Sequence, residues 1–330
     1  MKRVLQFLLV PVLTLVFLAV ISEVFLRITF AHSLDFSMEM WKYAVALKRP
    51  VPNPNMSFAH APSRRAFLMG VDVSINSQGL RDKEYDFAKP PGNYRIMILG
   101  DSTTFGWGVT AEDTVAKILE RELNETATGR RFEVLNTGVG NYDTVQEVTY
   151  YIESGRAFHP DLVILEYFIN DAEPVPVEKR TWLRDRSYFV AFVVSRSDGL
   201  LRLMGRLPDW RSYYTSLYEE DRPGWQAAKA AMASLARATK SDGAQLLVAI
   251  LPELHQINQS YPFEREHAKV RSVFANNGVP TLELIDGLRG HGPENSLWVT
   301  PIDDHPNRKA NTLIAAQMQN WILENLPSSR

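Results

Sequence analysis

The sequence has no cysteine. This excludes disulfides, thiolate metal sites, a cysteine nucleophile and a lipoprotein acylation site, so covalent catalysis would fall to a hydroxyl or a carboxylate. It does not fix the compartment, because many exported bacterial proteins lack disulfides. Net charge is almost absent too: 36 Lys+Arg are mixed with 38 Asp+Glu, for a formal charge of −2. There is no basic footprint for nucleic acid, and no nucleic-acid partner is expected. The chain has no internal repeat and no low-complexity tract. No two histidines share helical ligand spacing with a nearby acid, so no metal is expected, and no cofactor. What is present is 330 residues with 45% apolar side chains, enough for a substantial core.

Much of that apolar content stands at the start. Val4 to Ser22 is a run of 19 positions without a formal charge, 15 of them apolar. As a helix it spans roughly 28 Å, close to the ~30 Å hydrocarbon core of a bilayer. The run exceeds the ~7–15 residues of a signal h-region, and no small-x-small cleavage site follows. An uncleaved single-pass anchor is therefore expected rather than a cleaved signal or a buried core helix. Lys2 and Arg3 place the N-terminus in the cytoplasm and the chain beyond about Phe30 outside the inner membrane.

The rest divides into two further parts. Residues 31–90 read as a juxtamembrane spacer, in which Pro50, Pro52 and Pro54 break helices, followed by a small β extension around Val71–Ile75. Residues 91–330 alternate short apolar runs with helical stretches. Strands are expected at Arg95–Leu99, Phe132–Leu135, Asp161–Phe168, Gln245–Leu251 and Pro280–Leu284. Helices are expected at Thr114–Leu123, Thr144–Glu153, Gly224–Thr239, Glu264–Ala275 and Ala310–Leu323. This is an α/β fold with a central parallel sheet and helices on both faces. Residues 172–222, rich in Arg, Tyr and Trp, interrupt the alternation. Such an excursion would cover the active site, lie against the membrane, or simply pack.

Four segments carry chemistry. Gly100-Asp101-Ser102-Thr103 follows a buried strand and places a serine at a strand-to-helix turn, where free backbone N–H groups favour an anionic oxygen. Asn136-Thr137-Gly138-Val139-Gly140-Asn141 is a glycine-rich loop after the next strand. Phe168-Ile169-Asn170-Asp171 leaves the third strand. Asp303-Asp304-His305-Pro306-Asn307 precedes the closing helix. Each also has a plain reading as a βα turn or helix cap. Together they gather at the carboxyl edge of the strands, where open α/β sheets bind ligands.

These four blocks, in this order from about Tyr94 to Leu326, resemble the SGNH hydrolases, the GDSL family of serine esterases and acyltransferases. The resemblance implies a three-layer α/β/α, flavodoxin-like fold. It implies Ser102 as nucleophile and, through its N–H, oxyanion donor; Gly140 or Asn141 as second donor; Asn170 as third; and His305 as base. The family most often places its acid three residues before the histidine, which here is Ile302. Asp303, two before, is preferred over Asp304 as the acid, a spacing also found in relatives that acetylate exported polysaccharides. Phe168 stands where the family usually has glycine and should narrow the pocket. Of the other histidines, His159 belongs at the opposite sheet edge and His32 and His60 in the spacer. His255 follows a strand end and can reach the pocket, while His267 and His291 read as surface positions.

The expected activity is cleavage of acyl, preferably acetyl, esters on an extracytoplasmic carbohydrate through an acyl-serine intermediate. An O-acyltransferase working on an exported polysaccharide beside assembly proteins is the alternative. A lipase or lysophospholipase and a silent glycan-binding module stand behind these.

Overall fold

The computed structural model describes residues 2–126, 129–177 and 181–326. The first helix, α1 (Lys2–Thr29), turns Leu13, Phe17, Val20 and Phe25 outward, and its stretch Leu9–Thr29 is long and apolar enough to cross a membrane.

The segment read as a spacer is folded. Asp35 caps α2 (Phe36–Leu47) by accepting from the Met38 N–H at 3.0 Å. The chain then forms an antiparallel hairpin, β1 (Lys48–Asn53) with β2 (Met56–His60). The three prolines misled because a two-stranded hairpin tolerates them: Pro50 and Pro52 lie in β1 and Pro54 in its turn. A second hairpin pairs β3 (Arg65–Leu68) with β4 (Val71–Ser74). Its two-residue turn, Met69-Gly70, has positive φ at both positions, the twist such turns need. Tyr43 and Leu47 of α2 and Leu68 and Val73 of this hairpin share one apolar cluster with Phe105 and Trp107, just past Ser102.

The main sheet has five parallel strands: β5 (Asn93–Leu99), β6 (Arg131–Asn136), β7 (Leu162–Tyr167), β8 (Gln245–Ile250) and β9 (Thr281–Glu283). Every residue of β7 is buried, as are all but the first of β5 and β8. Covering both faces explains the continuous apolar runs. The order is β6-β5-β7-β8-β9, the flavodoxin-like arrangement. Between β5 and β6 lie the single turn α3 (Ser102–Phe105) and α4 (Val115–Thr126); α5 (Thr144–Glu153) connects β6 to β7. The insertion is helical, with α6 (Trp182–Arg186), α7 (Tyr188–Leu203) and α8 (Trp210–Leu217), before α9 (Pro223–Asp242) leads into β8 and α10 (Glu264–Ala275) into β9. The β5–β6 crossover runs opposite to the later ones, so right-handedness puts α4 on one face and α5, α9 and α10 on the other. A short hairpin, β10 (Trp298–Thr300) with β11 (Asp303–Pro306), precedes α11 (Arg308–Asn325), which packs on α4. The strand order reverses between β5 and β7, and Ser102 and Asn170 follow those two strands.

Candidate active site

Ser102 opens α3 directly after β5. Asp101 fixes the turn by accepting from the Thr103 N–H and hydroxyl, both at 2.8 Å. With four residues, α3 contributes little macrodipole, so any anion stabilisation at Ser102 rests on local N–H groups. The neighbouring backbone comes very close: a Cβ on Gly138 would lie 2.2 Å from the Phe105 nitrogen. Behind the turn, Thr103 Oγ1 lies 2.8 Å from both Asp101 Oδ1 and Glu166 Oε1. One hydroxyl proton cannot serve two carboxylates. Burial pushes Glu166 up to about 7, so Glu166 can donate the other proton.

Ser102 Oγ is 2.8 Å from His305 Nε2, and His305 Nδ1 is 2.6 Å from Asp303 Oδ1. The carboxylate can only accept, so Nδ1 carries the proton and Nε2 offers its lone pair to the serine hydroxyl. Extended backbone in β11 explains why the acid stands two residues before the histidine: positions 303 and 305 share one face and Asp304 takes the other. Asp303 also accepts from the His305 N–H at 3.2 Å and from Trp107 Nε1 at 3.2 Å. Burial pushes the Asp303 carboxyl up, but the His305 hydrogen bond and charge and these donors outweigh it and hold it below its ordinary value. Burial likewise pushes His305 down, and the bond to Asp303 with its charge outweighs that and holds it above. Phe36 lies against the imidazole, ring centres 5.5 Å apart, and against Trp107 at 5.9 Å.

The loop after β6 faces Ser102 and separates its two candidate donors. The Gly140 N–H donates to Tyr43 Oη at 3.0 Å. Asn141 sits at φ 65°, a left-handed conformation that asparagine tolerates, and lines the cavity. Lys48 grips the loop from outside, donating to Gly140 O at 2.5 Å and Asn141 Oδ1 at 3.1 Å. Tyr43 is held in turn by His60, whose Nε2 is 2.6 Å from Tyr43 Oη and whose Nδ1 is 3.0 Å from Gly79 O. The carbonyl fixes the tautomer: Nδ1–H donates to Gly79 and the tyrosine donates to Nε2. Burial drives His60 down to about 3, so it stays neutral.

Asn170 Nδ2 donates to Asp101 Oδ2 at 3.3 Å, which orients its amide and leaves a second amide hydrogen. Asn170 lines a cavity of about 390 Å³ with Ser102, Asn141, His305, Phe168 and, from the insertion, Trp210 and Tyr214. Phe36 and Met40 of α2 line it as well. His255 does reach this cavity, with Nδ1 against Glu253 Oε1 and 3.7 Å from Asp304 Oδ2. Asp304 thus turns to His255 rather than to His305 Nδ1. The donor atoms of Glu253, His255 and Asp304, and those of Asp303, Asp304 and His305, lie within 4.8 Å of one another, residue types a divalent cation accepts. In both groups Nδ1 is already bonded to an oxygen of the neighbouring acid.

His159 is exposed, away from the site, and His291 is exposed. His267 is not a surface residue: it is buried, Nδ1 3.0 Å from Glu283, because α10 turns His267, Val270 and Phe274 inward together. Phe36, Tyr43, Lys48 and His60 escaped the sequence reading. The available signal was Asp35 as a cap ahead of apolar positions 38, 43 and 47.

A profile of the GDSL-like lipase/acylhydrolase family matches residues 98–313. No curated protein matches the chain in sequence. Among solved structures, TesA is 14% identical over 69% of this chain and 97% of its own, with a TM-score of 0.45. A catalytic mutant of Axe2, an acetylxylan esterase from Geobacillus stearothermophilus, is 15% identical over 72% and 97%, TM-score 0.45. CEX, a two-domain esterase active on acetylated mannans, is 15% identical over 70% of this chain and 49% of its own, TM-score 0.44.

Proposed function

The chain belongs to the GDSL-like lipase/acylhydrolase family and is an ester-bond hydrolase, and from that premise we propose a membrane-anchored serine esterase that removes acyl, preferably acetyl, groups from an extracytoplasmic carbohydrate. The observation that carries the catalytic assignment is the unbroken relay Ser102–His305–Asp303 opening on one cavity.

Ser102 Oγ attacks the ester carbonyl while its proton passes to His305 Nε2. Asp303 holds the imidazole in the required tautomer and stabilises the imidazolium. The carbonyl oxygen becomes an oxyanion facing the Ser102 N–H, the Asn141 N–H and the Asn170 amide. With the Gly140 N–H engaged by Tyr43, Asn141 is the donor from that loop. One such donor is worth roughly 3 kcal/mol. The tetrahedral intermediate expels the alcohol, whose oxygen takes the proton from His305. Water then attacks the acyl-serine by the same route, and Ser102 regains its proton.

Anchoring by α1 is supported by its contact with the insertion. Glu23, near the end of α1, accepts from Ser187 Oγ at 2.8 Å and from the Tyr188 and Phe189 N–H groups at 3.0 and 2.9 Å. A chain cleaved beyond α1 would lose this cap on α7. The N-terminus is then cytoplasmic and the remaining domain extracytoplasmic, with residues 31–90 an integral extension of it. The test is hydrolysis of a short-chain nitrophenyl ester by the full chain in detergent. Turnover that Ser102→Ala abolishes supports the assignment, and Ser102-independent turnover or none overturns it. In the transferase variant of this reading a sugar hydroxyl replaces water, and acylated sugar formed from an activated acetyl donor would select it.

A further inference from the structure

In the cavity that Ser102 lines, the chain repeats the local geometry of its own Asp303–His305 pair. In Asp303–His305 an acid two residues before a histidine bonds both the histidine Nδ1 and its backbone N–H. In Glu253–His255 the same spacing produces the same two bonds: Glu253 Oε1 to Nδ1, and Glu253 Oε2 to the His255 N–H at 3.1 Å. Glu253 is buried at the exit of β8, while His255 is partly open to the cavity. Two indoles fix the His255 ring, Trp298 at 4.4 Å and Trp210 at 5.5 Å between centres.

Burial and the adjacent Asp304 push Glu253 up to about 10. Glu253 engages His255 Nδ1, which leaves His255 Nε2 without a hydrogen-bond partner among the described residues. Asp304, part-exposed, likewise offers carboxylate oxygens. This wall offers an imidazole nitrogen and a carboxylate, and a hydroxyl, which both donates and accepts, suits each of them. Its position relative to the reaction is set by His305. The leaving alcohol must receive its proton from His305 Nε2, so the alcohol half of the ester lies on the His305 side of Ser102. There the next residue is Asp304, and beyond it His255.

We propose that His255, Asp304 and Trp210 form a subsite that binds the alcohol half of the ester through hydroxyl groups beside the acylated position, with the indole of Trp210 against its apolar face; the ligand class is a polyhydroxylated ring. This rests on the carbohydrate-ester reading above and specifies how the ring is held. It assigns His255 binding and orientation, not proton transfer.

The test compares two secondary-alcohol acetates, monoacetylated methyl glucoside and cyclohexyl acetate, which differ in ring hydroxyls. For the full chain in detergent, kcat/KM should favour the glucoside, and His255→Gln and Trp210→Leu should each reduce that preference at least about tenfold, mainly through KM. General damage to the fold would lower both substrates in parallel and leave the ratio unmoved. A ratio retained in both variants overturns the subsite while leaving the carbohydrate reading intact. A wild-type chain that does not prefer the glucoside overturns both.

Discussion

Tyr43 offers the sharpest test of how the oxyanion loop is built. The side chain is wholly buried and lies 97 residues before the glycine it supports. Tyr43→Phe deletes one oxygen and strands two buried groups, the Gly140 N–H and His60 Nε2. At about 1–2 kcal/mol for each stranded group, the loss is about 2–4 kcal/mol. For a domain of this size that lowers Tm by about 4–16 °C. Catalysis should suffer differently. The Gly140 peptide, released from its acceptor, no longer fixes the peptide plane of Asn141. A loosened donor should cost up to the ~10²-fold that losing one such donor costs, in kcat rather than KM. Thermal unfolding of the detergent-solubilised chain and steady-state hydrolysis of a nitrophenyl ester measure the two effects. Adding His60→Leu removes one stranded atom, so the double variant should be less destabilised than the sum, by about 0.5–3 kcal/mol. Tyr43→Phe with unaltered Tm and kcat would refute the reasoning.

Other expectations follow from the same geometry. Ser102→Ala and His305→Ala should each lower kcat by several orders of magnitude, and the double variant should be little worse than either, because the members act as a unit; additive losses in a kinetic cycle would break the relay. Asp303→Asn should cost about 10⁴-fold in kcat by favouring the wrong imidazole tautomer; a mild loss would move the acid role elsewhere. His305 must be neutral to accept the serine proton, and Asp303 holds it above its ordinary ~6.5. Log kcat/KM should therefore climb as pH rises through a midpoint above ~6.5 and level off beyond it, and a midpoint below ~6 would contradict the pairing. Asn170→Ala should lower kcat about 10²–10³-fold with KM little changed; a pure KM effect would make Asn170 a substrate contact instead.

The sheet was legible because its strands are buried on both faces. Ile96–Leu99, Leu162–Leu165 and Leu246–Leu251 can be little else when helical stretches separate them. The Asp303–His305 pairing was legible because its spacing is local, two residues apart on one strand; Ser102, 203 residues from His305, was joined to it only through the resemblance carried by the four blocks. The support of the Gly140–Asn141 loop was not legible, because Tyr43 and Lys48 meet Gly140, and His60 meets Tyr43, only through tertiary packing, and no periodicity encodes a contact 97 residues away. The prolines of β1 compounded this, since a breaker in a short edge hairpin looks the same in sequence as a breaker in an open tether. His267 was missed for a related reason. Its helix is mildly amphipathic, and only the docking of α10 decides which face is inside.

The short connection between α1 and α2 bears on where the enzyme can work. Phe36, which leans on the His305 imidazole, is seven residues past Thr29, the end of α1. Even fully extended, that link reaches about 25 Å. With α1 in the bilayer, the cleft is on a short leash and cannot sample the bulk compartment. Its encounters are then with molecules at or near the lipid surface, and turnover scales with how densely they populate that shell. A polymer would be met while it is still close to where it crossed the membrane and would pass out of range once it moved away.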